Sequence, residues 1–230
     1  MNIGIVYISY GRAEARNVVK SIESLRSIGD NFSKLPVISY QIDKSYYDDK
    51  LNLLSCPIFL SHMDINQNLQ YEVIRAKLIG RAICIHTNPF DKFLLLDPSA
   101  RFTSSAMFLF ENRCDGVLAT KLSVISDVIG RRLRHLLNDN DINFDDSLIL
   151  PNTLAMVISN KINTSISRYL IDSYTKINRN RFYNSMILES ILLAIGCKSL
   201  KYQMSFIKKM NIIDQVNLSA PVLSEQQDKH

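Results

Sequence analysis

The sequence has few of the features that mark secreted, zinc-binding or membrane-spanning proteins. Its 230 residues include only four cysteines, which are widely separated and form no CxxC pair. This spacing argues against a disulfide framework and a zinc site, and it favours a reducing compartment. No apolar run approaches the roughly 18 residues that a membrane-spanning helix needs. The N-terminus has no basic segment before its apolar run, which predicts a strand rather than a signal peptide. We therefore expect a cytoplasmic protein.

The excess of positive charge is small. The chain has 27 lysines and arginines against 22 acidic residues, which gives a net charge of +5. This balance suits an anionic substrate such as a nucleotide, and an ordinary solvated surface explains it equally well. It falls short of the dense basic stripe that indicates nucleic-acid binding. The 47% hydrophobic content is enough for one domain with a sizeable core.

Strand and helix patterns alternate through the first hundred residues. Apolar, β-branched runs predict strands over residues 3–9, 36–42, 56–60 and 93–96. Helical spacing of apolar residues lies between them, over residues 13–28 and 68–86. This order predicts a Rossmann-type layered α/β/α domain with a mostly parallel central sheet. Ligands of such sheets collect at the carboxyl ends of the strands. Those ends are Ser9 to Arg12, Asp43, and Asp97 to Arg101.

The second half of the chain is less regular. Helices are predicted over residues 103–112, 123–137, 162–177 and 183–195, and strands over 116–120 and 148–159. Gly130 is expected to interrupt the second of these helices, and Gly196 to end the last one. Residues 219–230 are polar, and we expect a flexible tail. The chain shows no internal repeat and no interdomain linker, so residues 1–218 are interpreted as a single domain.

The stretch FLLLDPS, residues 93–99, places a carboxylate at the end of a buried strand. Pro98 stops the strand directly after Asp97. Taken alone, an aspartate in this position is better explained as a cap of the following turn.

Together with its surroundings, this stretch resembles the central part of GT-A-type glycosyltransferases, which use nucleotide-diphospho-sugars. In that family a helix carrying a basic residue leads through a Pro-Phe-Asp turn into an apolar strand that ends in Asp-x-Asp. The matching parts here are Lys77, the turn at residues 88–92, and FLLLDPS with Ser99 in place of the second aspartate. The resemblance implies a GT-A-like fold, with residues 1–102 as the nucleotide-binding half and 103–218 as the acceptor-side half.

The resemblance also implies roles for individual residues. Asp97 would contact the ribose or a metal, Ser99 and Arg101 the diphosphate, and Lys77 the phosphate or the sugar. Mn²⁺ or Mg²⁺ is the implied cofactor, held by Asp97. Its binding is expected to be weakened, because the Ser99 hydroxyl is a poorer ligand than a carboxylate. Three interpretations stay open: an enzyme with a weakened metal site, a metal-independent enzyme in which basic residues supply the charge, and a scaffold without activity.

Two further segments carry candidate site residues. Ser9, Tyr10, Gly11 and Arg12 would hold the nucleoside, or they form a strand-to-helix turn that needs the glycine. Asp43 would accept hydrogen bonds from the base or ribose, or it caps a turn.

Glu189 is the candidate general base for the acceptor hydroxyl, with a surface glutamate as the alternative.

The predicted function is transfer of a sugar from a nucleotide-diphospho-sugar to an unidentified acceptor, which is a saccharide, a protein or modified DNA. One alternative is a phage-type DNA-base glycosyltransferase, because the basic cluster Arg131 to His135 suits phosphate contacts. The other is a non-catalytic GT-A-like binding or assembly protein.

Overall fold

The structure is a computed structural model that describes residues 1–42, 53–58, 70–122, 127–142, 147–177 and 185–214. The candidate residue Asp43 and the predicted tail over 219–230 lie outside these ranges. No helix within the described ranges is long and apolar enough to cross a membrane.

Strands and helices alternate along most of the described chain. In chain order the elements are β1 (Ile3–Tyr10), α1 (Gly11–Arg26), β2 (Val37–Ile42), β3 (Leu53–Ile58), α2 (Gln70–Thr87), β4 (Lys92–Leu96), β5 (Ala100–Phe102), α3 (Phe108–Glu111), β6 (Val117–Lys121), α4 (Asp127–Asn138), β7 (Pro151–Ser159), α5 (Asn163–Lys176), α6 (Ser185–Ser199), β8 (Met204–Ile207) and β9 (Ile212–Asp214).

A seven-stranded sheet in the order β3-β2-β1-β4-β7-β6-β8 forms the centre of the fold. Only β7 runs against the other six strands of this sheet, pairing antiparallel with both β4 and β6. The predicted α/β fold with a mostly parallel sheet is therefore confirmed. The strands β5 and β9 form a separate antiparallel pair. Because six strands share one direction, their carboxyl ends meet at one edge, which we call the carboxyl edge.

Helices cover both faces of the sheet. The side chains of β1 alternate between these faces. The Tyr7 hydroxyl lies 2.8 Å from the Ser21 hydroxyl of α1 on one face. On the other face Ile8 packs under Gly80 of α2, where an added Cβ would lie 2.5 Å from the Ile8 Cδ1 atom. Gly80 thus lets α2 lie close to β1 and β2 of the sheet.

Three predicted features of the helices are wrong. The helix α4 runs through Gly130 without interruption, and α6 continues through Gly196 to Ser199. One glycine weakens a helix by only about 1 kcal/mol, which packing of an amphipathic face outweighs. Gly196 has a packing role instead, because an added Cβ would lie 2.6 Å from Tyr169 Cδ1 on α5. The helix expected over 103–112 is reduced to the single turn α3.

Candidate active site

Three of the predicted site residues meet at a small cavity on the carboxyl edge. The cavity has a volume of about 70 Å³. Its lining comes from α2, the end of β4, the start of β7 and the start of α6: Lys77, Leu78, Arg81, Asp97, Thr153, Leu154, Met186 and Glu189. The structure therefore brings Lys77, Asp97 and Glu189 together from segments up to 112 residues apart in sequence.

The turn after β4 orients the Asp97 carboxylate. The Asp97 backbone N–H donates to the Leu154 carbonyl on β7 over 2.9 Å, which fixes the end of the strand. Its Oδ1 atom accepts from the Ser99 backbone N–H over 2.9 Å and from the Ser99 hydroxyl over 2.7 Å. Both bonds fall on Oδ1, and none of the described residues donates to Oδ2. One carboxylate oxygen therefore fixes the turn, and the other makes no hydrogen bond with the described residues.

Arg101 stabilises the same turn from the other side. Its Nη1 atom donates to the carbonyl oxygens of Pro98 and Ala100 over 2.9 and 2.7 Å. Its charge also acts on Tyr7, whose pKa burial raises while the Ser21 hydrogen bond and the Arg101 charge oppose that rise. Arg101 is not part of the cavity lining.

A buried ion pair forms the wall of the cavity opposite the turn. Arg81 Nε donates to Glu189 Oε1 over 2.7 Å, and the two side chains are 7% and 5% exposed. The second nitrogen, Arg81 Nη2, donates to the Thr153 carbonyl over 3.0 Å. Burial is the largest influence on the Arg81 pKa and lowers it, but attraction to Glu189 and, less strongly, to Asp97 outweighs burial and raises that pKa. Arg81 therefore carries a permanent positive charge and joins α2 to β7 and α6.

Sequence reasoning missed Arg81. It lies four residues after Lys77 on α2, a spacing that places both side chains on one face of the helix. The four-residue spacing from Lys77 was the feature of the sequence that could have identified Arg81 as a site residue.

A second ion pair joins α1 to α2. Lys77 Nζ lies 2.5 Å from Glu14 Oε1, and both side chains are about one quarter exposed. The other oxygen, Glu14 Oε2, accepts from the Tyr10 backbone N–H over 2.9 Å. Glu14 therefore holds both the turn that starts α1 and the Lys77 ammonium, although the sequence patterns gave it no role. An acidic residue in the first turn of a helix was the signal.

The remaining candidates lie along the end of β1. Ser9 is buried, and its hydroxyl has no hydrogen-bond partner within the described part of the chain. Gly11 has a φ of +69°, which glycine adopts far more readily than other residues. Tyr10 is half-buried and Arg12 is exposed. The turn thus needs its glycine for backbone geometry, and Arg12 is exposed to solvent.

The oxygen atoms at the turn suit a hard cation that is shared with a substrate. Across the described ranges, no three histidine, cysteine, aspartate or glutamate side chains cluster as metal ligands. Asp97 Oδ2 and the Ser99 hydroxyl are nevertheless oxygen donors of the kind that Mg²⁺ takes, and Mg²⁺ commonly binds through one or two carboxylates together with substrate phosphates and water. These residues fit a hard cation that takes its remaining ligands from a bound molecule or water.

Solved structures with a similar backbone are glycosyltransferases. Core-mannan synthase A from Aspergillus fumigatus, in a form with manganese and GDP, matches over 89% of this chain and 72% of its own, with 9% identity and a TM-score of 0.52. The galactosyltransferase LgtC, in complex with donor and acceptor sugar analogues, matches over 84% of this chain and 70% of its own, with 13% identity and a TM-score of 0.53. GlyE from Streptococcus pneumoniae matches over 89% of this chain but 45% of its own, with 16% identity and a TM-score of 0.52.

These likenesses show that the chain has the GT-A-type glycosyltransferase fold that the Lys77 to Phe102 segment predicted. The chain spans less than half of the GlyE structure. No protein-family model and no curated protein matches its sequence.

Proposed function

We propose that this protein is a glycosyltransferase that moves a sugar from a nucleotide-diphospho-sugar to an acceptor hydroxyl. The observation that carries the proposal is the cavity at the carboxyl edge of a GT-A-type fold, where Asp97 faces Lys77, Arg81 and Glu189. A fold alone does not specify a function, so the proposal depends on the chemistry of these four side chains.

The cavity has the charges that transfer from a nucleotide sugar requires. The leaving nucleoside diphosphate gains negative charge as the sugar–phosphate bond breaks, and fixed positive charges nearby stabilise that state. Lys77 and Arg81 place two such charges one helical turn apart, and each is also paired with a carboxylate, of Glu14 and Glu189 respectively. Asp97 Oδ2 would accept a hydrogen bond from a ribose hydroxyl, or it would form a cation site together with the Ser99 hydroxyl.

A bound Mn²⁺ or Mg²⁺ would neutralise charge on the diphosphate. Core-mannan synthase A, a protein of the same fold, has been solved with manganese and GDP, which supports this cofactor.

Glu189 is proposed to take the proton of the acceptor hydroxyl. Its bond to Arg81 fixes the carboxylate at the cavity wall, where a positioned carboxylate serves as a general base. The proposed nucleoside site includes Ser9, Tyr10, Gly11, Arg12 and Asp43. It is supported by the Glu14 side chain, which joins the end of β1 to Lys77. Arg101 is proposed to act on the diphosphate through the turn that it stabilises.

The buried thiols are consistent with a reducing compartment such as the cytoplasm. Cys84, Cys114 and Cys197 are buried. Burial, and to a lesser extent the nearby Cys114, raise the pKa of the Cys197 thiol to about 12, so this thiol is unreactive at neutral pH.

A donor screen tests the proposed function without knowledge of the acceptor. The full chain is incubated with UDP-, GDP-, ADP- and dTDP-sugars, with and without Mn²⁺, and release of the nucleotide is followed by chromatography. Titration calorimetry measures binding of the same nucleotides. We expect nucleotides with one type of base to bind, and the corresponding nucleotide sugar to be hydrolysed slowly. Binding without hydrolysis would identify a non-catalytic binding protein, and no binding to any nucleotide would refute the proposal.

A further inference from the structure

Three exposed lysines continue the carboxyl edge beyond the cavity. They are Lys121, Lys208 and Lys209, and we call them the lysine edge. The strand β6 ends at Lys121, and β8 pairs with it in parallel, with Thr120 opposite Ile207. Continuing that register places Lys121 beside Lys208, one residue beyond the last paired positions.

The lysine edge is part of a fixed backbone. The Lys121 ammonium stands 5.9 Å from the centre of the Phe206 ring on β8. Lys208 and Lys209 begin the connection from β8 to β9, and this connection is anchored by buried Met210. Asn211 completes the anchor, since its side chain donates to the Ser105 carbonyl and its carbonyl accepts from the Thr103 N–H. The lysines therefore start from positions that need little ordering to bind a ligand.

The positive charges of this edge repel one another. Within the part of the chain that the structure describes, no carboxylate pairs with any of the three lysines. Like charges on neighbouring strands reduce stability, and the cost falls when an anion lies between them. The arrangement is consequently better suited to a bound anion than to the free protein.

The lysine edge lies next to the cavity on the side away from β1 and β2. Lys121 pairs with Pro151 on β7, and Thr153, two residues further along that strand, lines the cavity. Strand spacing and rise place the Cα atoms of Lys121 and Thr153 about 8 Å apart. The proposed nucleoside site is at the end of β1, on the other side of β4 in the sheet order. A group held by the lysine edge thus approaches the cavity from the acceptor side.

We propose that the lysine edge binds a phosphate or carboxylate group of the acceptor, so that the acceptor is an anionic glycan. This inference rests on the proposed function of the cavity. Three lysines within about 10 Å match one or two anionic groups, whereas duplex DNA is bound through many phosphate contacts along a longer basic surface. A glycan with a single charged substituent near its acceptor hydroxyl fits this short footprint.

A glycan array tests the proposal with two matched double variants. The lysine-edge variant is Lys208→Glu with Lys209→Glu, and the control is Lys198→Glu with Lys201→Glu. Both control lysines are exposed and lie before β8, at the opposite edge of the sheet. The full chain, saturated with the nucleotide found in the donor screen, is applied to phosphorylated, uronic-acid, sialylated and neutral glycans. We expect wild type and control to prefer an anionic glycan, and the lysine-edge variant to lose at least about tenfold of that affinity.

Three results would overturn the proposal. The first is equal binding of anionic glycans and their neutral counterparts by the wild type. The second is a lysine-edge variant that loses affinity for the nucleoside diphosphate in calorimetry but not for the glycan, which would assign the lysines to the donor. The third is binding of a 20-base-pair DNA duplex by the wild type and the control but not by the lysine-edge variant. Slow donor hydrolysis is measured in the same preparations, so the glycan proposal can fail while the proposed function stands, and failure of the proposed function is recognised separately by the absence of hydrolysis.

Discussion

The two ends of strand β4 each carry an aspartate, and they differ in what their oxygens do. Asp91, just before the strand, accepts from the Asn2 backbone N–H at Oδ2 over 2.7 Å and from the Asn160 side chain at Oδ1 over 3.3 Å. Asp97, just after the strand, accepts twice at Oδ1, and both donors belong to Ser99. Asp91 uses both oxygens to tie neighbouring strands together, whereas Asp97 uses one oxygen within its own turn, and no described residue donates to the other.

The ion pairs at the two edges differ in the same direction. Lys161 and Asp115, at the edge opposite the cavity, are 63% and 62% exposed, and hydrogen bonding to Lys161 lowers the pKa of Asp115. Arg81 and Glu189 are nearly fully buried at the carboxyl edge. Burying two charges is unfavourable unless they are well bonded, and replacing such a pair by apolar residues is often neutral or stabilising. A buried pair beside a cavity therefore points to a use other than stability.

The largest expected effect separates the two aspartates of β4. Asp97→Asn keeps the shape of the side chain but removes the charge that faces the cavity, and we expect donor hydrolysis to fall by at least about 100-fold. Asp91→Asn, the matched control, should hydrolyse the donor at the wild-type rate, because Asp91 lies at the far end of the strand. The measurement is nucleotide release at saturating donor, with circular dichroism to verify the fold.

Equal activity of the Asp97→Asn variant and the wild type would refute the assignment of this carboxylate to the donor site. Equal loss in both variants would show that β4 tolerates neither change and that the comparison of its ends is wrong.

The second prediction compares the two ion pairs. Glu189→Gln leaves Arg81 buried without its carboxylate, and we expect the free energy of unfolding to fall by about 3–5 kcal/mol in urea titrations. Asp115→Asn should leave the urea midpoint nearly unchanged at neutral pH, since exposed pairs contribute little. The double change Arg81→Met with Glu189→Leu should be more stable than Glu189→Gln alone and inactive in donor hydrolysis. A Glu189→Gln protein as stable as the wild type would contradict the importance of this pair.

Much of the fold could be predicted from local sequence patterns. The run IGIVYISY and the run KFLLL are buried on both faces, which is why continuous apolar character located the two central strands. The strands β5 and β9 could not be predicted in this way. Each has three residues, and their pairing joins Ala100–Phe102 to Ile212–Asp214, more than a hundred residues later. Short strands that depend on a distant partner leave no period in the sequence.

The candidate site could be predicted only in part, because local sequence patterns do not show contacts between distant segments. Asp97 follows an apolar strand and stands out, and Lys77 matches a family pattern. Arg81 and Glu14 owe their roles to contacts with Glu189, Thr153 and Lys77 that only the fold creates. The catalytic and binding roles of all the predicted site residues, Asp97 and Lys77 included, remain predictions.

The third prediction concerns the missing second carboxylate of the Asp97-Pro98-Ser99 turn. The Ser99 hydroxyl lies 2.7 Å from Asp97 Oδ1, so an aspartate at this position would place two carboxylates in contact. Without a cation they repel, and with one they form a stronger oxygen site. We expect Ser99→Asp to lower the Mn²⁺ concentration for half-maximal donor hydrolysis about tenfold. Ser104→Asp adds the same charge at an exposed position and should not change it. An unchanged Mn²⁺ dependence in Ser99→Asp would mean that this turn holds no cation.

The smallest expected effect comes from the ion pair of intermediate exposure. Lys77 and Glu14 are about one quarter exposed, between the buried and the exposed pair. If Lys77 binds the diphosphate, the Glu14 carboxylate competes with the diphosphate for the Lys77 ammonium. The carboxylate also repels the diphosphate, because both are negatively charged. Glu14→Gln should then tighten nucleoside diphosphate binding, by at most about 1 kcal/mol or roughly fivefold, whereas Lys77→Met weakens it. Calorimetry at two salt concentrations measures both, and screening by salt should shrink the two changes together. Weaker nucleotide binding by Glu14→Gln would instead make Glu14 a positioning residue for Tyr10 and Lys77. Binding at the carboxyl edge would then depend on the fixed position of the Lys77 side chain, just as the cavity wall depends on the bond between Arg81 and Glu189.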